Sequence, residues 1–330
     1  MKYSKEVNNE FSFSVIVPIY NEEGNIKELH HRLTKVMQVL AESYEIVFVN
    51  DGSTDSTAKT LLDLVHSDTC LKIINLSRNF GHQNALTAGI DFSKGRAVVA
   101  MDGDLQDPPE VIKSFVKKWQ EGYKIVYGIR ARRKESFILR LCYKLFYRLM
   151  KKISNIDIPL DSGDFCLMDR GVVEVLKNLP ERLRFIRGLR AWAGFRQIGI
   201  EYERDARKAG KSKYSFNKLF KLAVEGFCSF STFPIHVIFL LGVLLSVLAV
   251  LGIISVVTMK IFNIYHLPGW TSLFIAMLFF GSIQLIAISI VGEYCGKIFE
   301  EIKKRPIYMI ESMVNMDGVY ENDNEIRLMV

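Results

Sequence analysis

Two long stretches without a charged residue limit what this chain can fold into. Phe233–Met259 and Leu267–Gly292 contain no Asp, Glu, Lys or Arg. Each exceeds the roughly 20 apolar residues that carry a helix across a bilayer. Buried core helices seldom run this long without a charge, so both stretches read as transmembrane helices. Lys260 is the only Lys or Arg in the link Lys260–His266. Lys211, Lys213, Lys218 and Lys221 precede the first stretch, and Lys297, Lys303, Lys304 and Arg305 follow the second. Basic residues collect on the cytoplasmic side of a span. The expectation is a two-helix hairpin over 232–292, with both termini in the cytoplasm and the link outside.

Composition narrows the rest. The net charge is +7, with Lys and Arg clustered in the second half. This suits an anionic substrate or a membrane surface, and no aromatic-basic interleaving points to nucleic acid. The five cysteines are widely spaced and form no C-x-x-C pair, which argues against a disulfide framework or zinc site. Residues 1–12 are polar, lack the apolar core of a signal peptide and read as a flexible tail.

The first 130 residues alternate strand and helix signals. Apolar runs predict strands at Ser14–Pro18, Glu45–Asn50, Leu71–Leu76, Ala97–Met101 and Lys124–Gly128. Helical periodicity fits Asn25–Ala41, Ser56–Val65, Asn84–Phe92 and Pro109–Glu121. This order predicts an α/β domain with a mostly parallel sheet and helices on both faces. Ile138–Ile153 is a basic amphipathic helix that reads equally as membrane-surface or as core-packed. Ser215–Phe230 reads as an in-plane helix leading into the first span.

Ligands of open α/β sheets bind at the carboxyl ends of the strands. Here those ends are polar. Asp102-Gly103-Asp104-Leu105-Gln106-Asp107 follows the fourth strand, and Asp102 and Asp104 can share a hard cation, Mg²⁺ or Mn²⁺, that would hold phosphates. Pro18-Ile19-Tyr20-Asn21-Glu22 follows the first strand, where Tyr20 offers an aromatic surface and Glu22 an acceptor for a nucleoside. Asn50-Asp51-Gly52-Ser53-Thr54-Asp55 follows the second. There Asp51 can accept from a base edge, Gly52 permits close approach and Asp55 caps the next helix. Ser77-Arg78-Asn79-Phe80-Gly81-His82-Gln83 follows the third. Arg78 suits an acidic loop residue or a phosphate, and His82 reads as a hydrogen-bonded loop histidine, not a catalyst.

Together these loops resemble the motifs of family 2 glycosyltransferases of the GT-A fold, a Rossmann-like architecture. Gly163-Asp164-Phe165-Cys166-Leu167-Met168-Asp169-Arg170 resembles the Gly-Asp-Phe-Arg-Leu segment of bacterial polyprenyl-phosphate glycosyltransferases, with Cys166 in place of the usual Arg. Arg207-Lys208-Ala209-Gly210-Lys211-Ser212-Lys213 resembles the Arg-x-x-Gly-x-Ser-Lys motif of dolichyl-phosphate mannose synthases and their relatives. The likeness spans about 14–305 and points to the subgroup that contains the prophage bactoprenol glucosyltransferases.

The resemblance implies a GT-A domain over 13–210, an interfacial helix over 211–231, the hairpin, and a cytoplasmic tail over 293–330. It implies inverting transfer of one sugar from a nucleotide-sugar, UDP-glucose first, to polyprenyl phosphate at the cytoplasmic face of a bacterial membrane. Mannose, N-acetylglucosamine and aminoarabinose donors stay open. It implies catalytic roles for Asp164, Asp102 and Asp104, with Asp164 at the position usually assigned as base. It implies a metal on Asp102, Asp104 and Gln106, and a donor against Pro18, Tyr20, Glu22, Asp51 and Asp102. The acceptor phosphate falls to Arg130, Arg207, Ser212 and Lys213. Relatives suggest a homo-oligomer. A processive synthase would carry Gln-x-x-Arg-Trp, of which Arg187-Gly188-Leu189-Arg190-Ala191-Trp192 is a near miss. A flippase subunit or a silent scaffold is the alternative class.

Overall fold

The computed structural model describes residues 11–40, 43–130, 162–182, 184–204, 233–262 and 269–316. The expected helices at 138–153 and 215–230, and Arg207, Ser212 and Lys213, lie outside the described residues. The chain divides into two compact units. One comprises Met1–Arg148, Ile156–Lys213 and Arg305–Val330, and the other Leu149–Asn155 and Tyr214–Lys304.

The first unit is built on an eight-stranded sheet. Its strands are β1 (Phe11–Ile19), β2 (Tyr44–Asn50), β3 (Leu71–Leu76), β4 (Gly95–Ala100), β5 (Ile125–Arg130), β6 (Ser162–Asp169), β7 (Gln197–Tyr202) and β8 (Ile310–Val314). Its helices are α1 (Ile26–Leu40), α2 (Thr57–Val65), α3 (His82–Phe92), α4 (Ile112–Gln120), α5 (Arg170–Lys177) and α6 (Ile186–Trp192), with a 3-10 turn at Pro109–Val111 before α4. The order across the sheet is β7-β5-β6-β4-β1-β2-β3-β8. β1 pairs in parallel with β2 and β4, β2 with β3, and β5 with β7. β6 and β8 run antiparallel to their neighbours.

Alternation along the strands feeds two cores. Val15, Val17, Phe48, Ala97 and Val99 pack with Leu29 and Leu33 of α1, Leu61 of α2 and Phe115 of α4. Ile16, Val47, Val49, Val98 and Ala100 pack with Leu86 of α3, Val172 of α5 and Leu189 of α6. A strand covered on both faces needs apolar side chains on both, which is why β2 is buried along its whole length. The chain runs from β1 outward to β3, then returns to the other side of β1 as β4. That reversal opens a crevice at the carboxyl ends of β1 and β4, beside Tyr20 and Asp102.

Three strands, β6, β7 and β8, are not among those the sequence predicts. β6 carries the Gly-Asp-Phe segment, and its apolar residues serve both cores, Phe165 and Leu167 one and Cys166 and Met168 the other. β8 lies in the C-terminal tail, which carried no readable signal. It adds to the free edge of β3, where Asn75 Nδ2 donates to Ser312 Oγ at 3.0 Å and Tyr308 Oη donates to Asp91 at 2.8 Å.

The second unit holds α7 (Phe233–Ile261) and α8 (Trp270–Ile302). Among the described residues, one stretch, Phe279–Ile302, is long and apolar enough to cross a membrane, and the apolar Ile238–Gly252 in α7 is shorter. The expected second span, Leu267–Gly292, overlaps Phe279–Ile302 and falls almost wholly within α8. Charges begin at Glu293, but nothing there breaks the helix, which continues to Ile302.

α3 lies close enough to β1 that a side chain at Gly89 would meet Ile16 Cγ2 at 2.2 Å. Gly89→Val is expected to cost about 1–3 kcal/mol through overpacking. Thermal unfolding of the full chain measures this, and an unchanged Tm would show that α3 can back away.

Candidate active site

The loops at the strand ends are tied to one another before any ligand is considered. Asn21 N–H donates to Ser53 Oγ at 3.0 Å, and Thr54 N–H donates to Asn21 Oδ1 at 2.8 Å. Asp55 Oδ1 accepts from Thr57 N–H at 3.0 Å at the start of α2, although the N-cap position itself is held by Ser56 and not by Asp55 as expected. Gly52 has a φ of 66°, and a Cβ there would lie 2.5 Å from the Arg78 carbonyl carbon. The close approach that Gly52 permits is thus between two loops of the protein itself.

Asp51 is buried, and both its oxygens are engaged. Oδ1 accepts from Phe80 N–H at 2.7 Å and Oδ2 from Gly81 N–H at 2.9 Å. Burial still pushes its pKa up, against those two bonds. Its evident task is to hold the loop before α3. Glu22 Oε2 accepts from Asn25 Nδ2 at 2.5 Å, so this acceptor also has a local partner. Tyr20 is 43% exposed at the crevice, and the Pro18 carbonyl abuts Gly103, where a Cβ would lie 3.3 Å away. Arg78 is stacked on Phe80, 4.1 Å from the ring centroid.

The loop after β4 is tightly wound. Asp104 Oδ1 accepts from Gln106 N–H at 3.1 Å. Leu105, buried between them, has a φ of 58°, uncommon for a residue with a branched side chain. The buried Leu105 holds the turn that brings Asp104 and Gln106 together.

His82, read from the sequence as a loop histidine, stands between two carboxylates. Its Nε2 lies 3.4 Å from Asp102 Oδ1 and 3.6 Å from Asp164 Oδ2. Burial disfavours its charged form, but Asp164 and Asp102 outweigh this and raise its pKa to about 9. Gln83, the next residue, donates from Nε2 to Asp164 Oδ2 at 2.9 Å and accepts from Ile186 N–H at 3.0 Å. α6 then brings Arg187 Nη2 to within 3.6 Å of Asp164 Oδ1. Burial opposes ionisation of Asp164, yet His82, Arg187 and Arg190 hold its carboxyl well below the usual range.

Arg190 is 1% exposed. Its Nη2 donates to the Gly163 carbonyl at 3.4 Å, and its guanidinium faces Tyr127 and the Cys166 thiol. The near miss to Gln-x-x-Arg-Trp is thus a pair of arginines behind Asp164. Arg130, at the end of β5, lies so near Gly163 that a Cβ there would sit 3.3 Å from Nη2. Arg204, just past β7, places Nη2 3.9 Å from Asp104 Oδ2 and donates from Nε to Asp107 Oδ1 at 3.2 Å. His82, Gln83, Asp107, Arg187, Arg190 and Arg204 were not among the expected site residues. Only His82, Gln83 and Asp107 sat in loops already singled out.

The residues fit a divalent cation. Asp102 Oδ1 is buried and accepts no hydrogen bond. Burial, with Asp164, Asp107 and Asp104 nearby, pushes its carboxyl up to about 6. Among the described residues no group of three His, Cys, Asp or Glu forms a complete cage. Asp102, Asp104 and Gln106 would therefore hold an ion that takes its other ligands from phosphate oxygens or water.

A glycosyl transferase family 2 model matches residues 14–177. The glycosyltransferase YkcC of Bacillus subtilis is 43% identical over 93% of this chain and 95% of its own length. The bactoprenol glucosyl transferase of Shigella phage SfII is 40% identical over 90% of this chain and 97% of its own. Among solved structures, Staphylococcus aureus TarS residues 1–349 match 58% of this chain and 59% of that one, at 20% identity and a TM-score of 0.42. The chain belongs to glycosyl transferase family 2 and is a glycosyltransferase.

Gln83→Leu removes both the Asp164 contact and the tether to α6. The expected result is a fall in turnover of about tenfold with a retained fold, since a buried carboxylate loses one donor. Steady-state kinetics beside a melting curve check this, and wild-type turnover would remove Gln83 from the site.

Proposed function

We propose that the chain transfers a single sugar, glucose from UDP-glucose first, to polyprenyl phosphate at the cytoplasmic face of the membrane. The product is a β-linked polyprenyl-phosphate sugar. The observation that carries this reading is the contiguity of three groups. Asp164 and Asp102 share His82, and the Arg130 guanidinium abuts Gly163, next to Asp164. An anion held by Arg130 would lie beside a carboxylate and within reach of the Asp102–Asp104 loop. The 40% identity to a bactoprenol glucosyl transferase over nearly the whole chain supports the choice of lipid and sugar.

The chemistry is a displacement with inversion. An oxygen of the lipid phosphate bonds to the anomeric carbon as the bond to the nucleoside diphosphate breaks. When bound at Asp102, Asp104 and Gln106, Mg²⁺ or Mn²⁺ supplies positive charge for the departing diphosphate. The donor nucleoside lies in the crevice along Pro18, Tyr20 and Glu22, with Asp51 keeping the adjoining loop in place. A phosphate is already anionic at neutral pH and needs no strong base. Asp164, held by Gln83, His82 and Arg187, orients the acceptor and takes any residual proton. Arg130 binds the acceptor phosphate, with Arg207, Ser212 and Lys213 as further donors.

The second unit anchors this reaction to the bilayer through two spans, in α7 and α8, with both termini cytoplasmic. Gly242, Gly252 and Gly281 have open space where a Cβ would sit, which suits helix contacts in a homo-oligomer.

The test is transfer of labelled sugar into an extractable lipid, using membranes or detergent-solubilised full chain, polyprenyl phosphate and a panel of nucleotide-sugars. Label is expected in the lipid from UDP-glucose, lost with EDTA and restored by Mg²⁺ or Mn²⁺. No labelled lipid from any donor overturns the reading. Asp164→Asn is expected to retain donor binding by calorimetry while transfer falls at least about 100-fold, and near-normal turnover would exclude Asp164 from the mechanism.

A further inference from the structure

Asp107 is fully buried at the end of the same loop as Asp102 and Asp104. A buried carboxylate is costly unless it is paired and hydrogen-bonded. Its partners come from the ends of two other strands. Tyr202 Oη donates to Oδ1 at 2.6 Å, and Arg204 Nε donates to the same oxygen at 3.2 Å. Oδ2 is also buried, accepts no hydrogen bond and faces Arg130 Nη2 at 4.0 Å. The Tyr202 hydroxyl faces the Arg130 guanidinium as well. The Tyr202 ring is itself fixed, because Gly128 leaves room for it; a Cβ there would lie 2.5 Å from Cε1. Phe165 of β6 packs against it edge-on, with centroids 5.7 Å apart.

This geometry has a consequence for Arg130. A close bidentate pair would consume guanidinium donors on the carboxylate. At 4.0 Å the charges still attract in a buried setting, but no short hydrogen bond is made between them. Arg130 Nε is buried and has no hydrogen-bond partner. Arg130 is thus held by a charge and a hydroxyl while its Nε stays unpaired, and its Nη2 lies against Gly163, the residue before Asp164. Arg204 is held from the other side, so it reaches Asp104 only at 3.9 Å.

We infer that Asp107 is a positioning residue which, with Tyr202, aims Arg130 at the phosphate of the acceptor lipid. This rests on the proposed polyprenyl-phosphate transfer. Asp107 touches neither substrate and acts through the arginine. Without its charge, Arg130 is free to swing to the crowded carboxylates nearby, and the acceptor loses its preoriented cation.

The experiment uses the full chain in detergent or nanodiscs, with KM measured separately for polyprenyl phosphate and nucleotide-sugar. Asp107→Asn keeps the shape and an acceptor for Tyr202 but removes the charge. The acceptor KM is expected to rise at least about tenfold, with the donor KM within about twofold and cooperative melting retained. Tyr202→Phe removes only the hydroxyl and is expected to raise the same KM about threefold. An acceptor KM unchanged in a folded Asp107→Asn protein overturns the inference, as does a loss confined to kcat. Should Asp107→Asn not fold, Tyr202→Phe decides, and a wild-type acceptor KM there overturns it. A wild-type chain that transfers no sugar to the lipid fails the underlying reading instead, a result visible before any variant is compared.

Discussion

The constraint on which the site depends is the crowding of carboxylates at the end of β4. Asp102, Asp104, Asp107 and Asp164 would repel one another if left alone in a partly buried crevice. They are held together by cations from every side: His82 from α3, Arg187 and Arg190 from α6, Arg130 from β5 and Arg204 beyond β7. The balance is uneven. Asp102, Asp107 and Asp164 each keep one buried oxygen that accepts no hydrogen bond, but Asp107 and Asp164 are bound by donors at the other. Asp102, which faces His82 at 3.4 Å, suits a divalent ion beside Asp104, and the surrounding cations suit the anions such an ion brings with it.

The sheet order makes this convergence possible. Because β6 runs antiparallel between β4 and β5, its first residues, not its last, lie at the crevice. Asp164 therefore starts a strand, whereas Asp102 follows one, yet the two reach the same imidazole. α3 contributes His82 and Gln83 from its first turn while its Gly89 lies tight against Ile16. Tight packing at mid-helix carries directly into the placement of the residues that meet Asp164. The loops of β1, β2 and β3 are cross-linked by side chain to backbone bonds, with Asp51 as the central acceptor. These bonds explain how a rim made almost entirely of turns can keep a defined shape.

Much of this was legible before any coordinates. β1 to β5 and α1 to α4 follow from periodicity to within a few residues, because a doubly covered sheet demands continuous apolar strands and one-sided helices. The four strand-end loops were legible for the same reason: an apolar run that stops at polar residues must surface there. β6 was hidden because Gly163 and Asp164 interrupt its start and its pairing partners are distant in the chain. β8 was hidden because a five-residue edge strand carries almost no pattern of its own. His82 was discounted because a lone histidine in a loop has no signal until its neighbours are known. Arg187 and Arg190 stood out only as a near miss to a synthase motif and Arg204 carried no signal, though Arg190 is among the most deeply buried side chains.

By itself, then, the sequence determined the alternating α/β plan, the charge-free stretches within α7 and α8 and the acidic loop after β4, since each is written in local periodicity or composition. Tertiary structure alone decided which cation faces which carboxylate. Those pairings join residues as far apart as Asp107 and Arg204, and distance along a chain holds no record of charges that meet only after the sheet has closed around them.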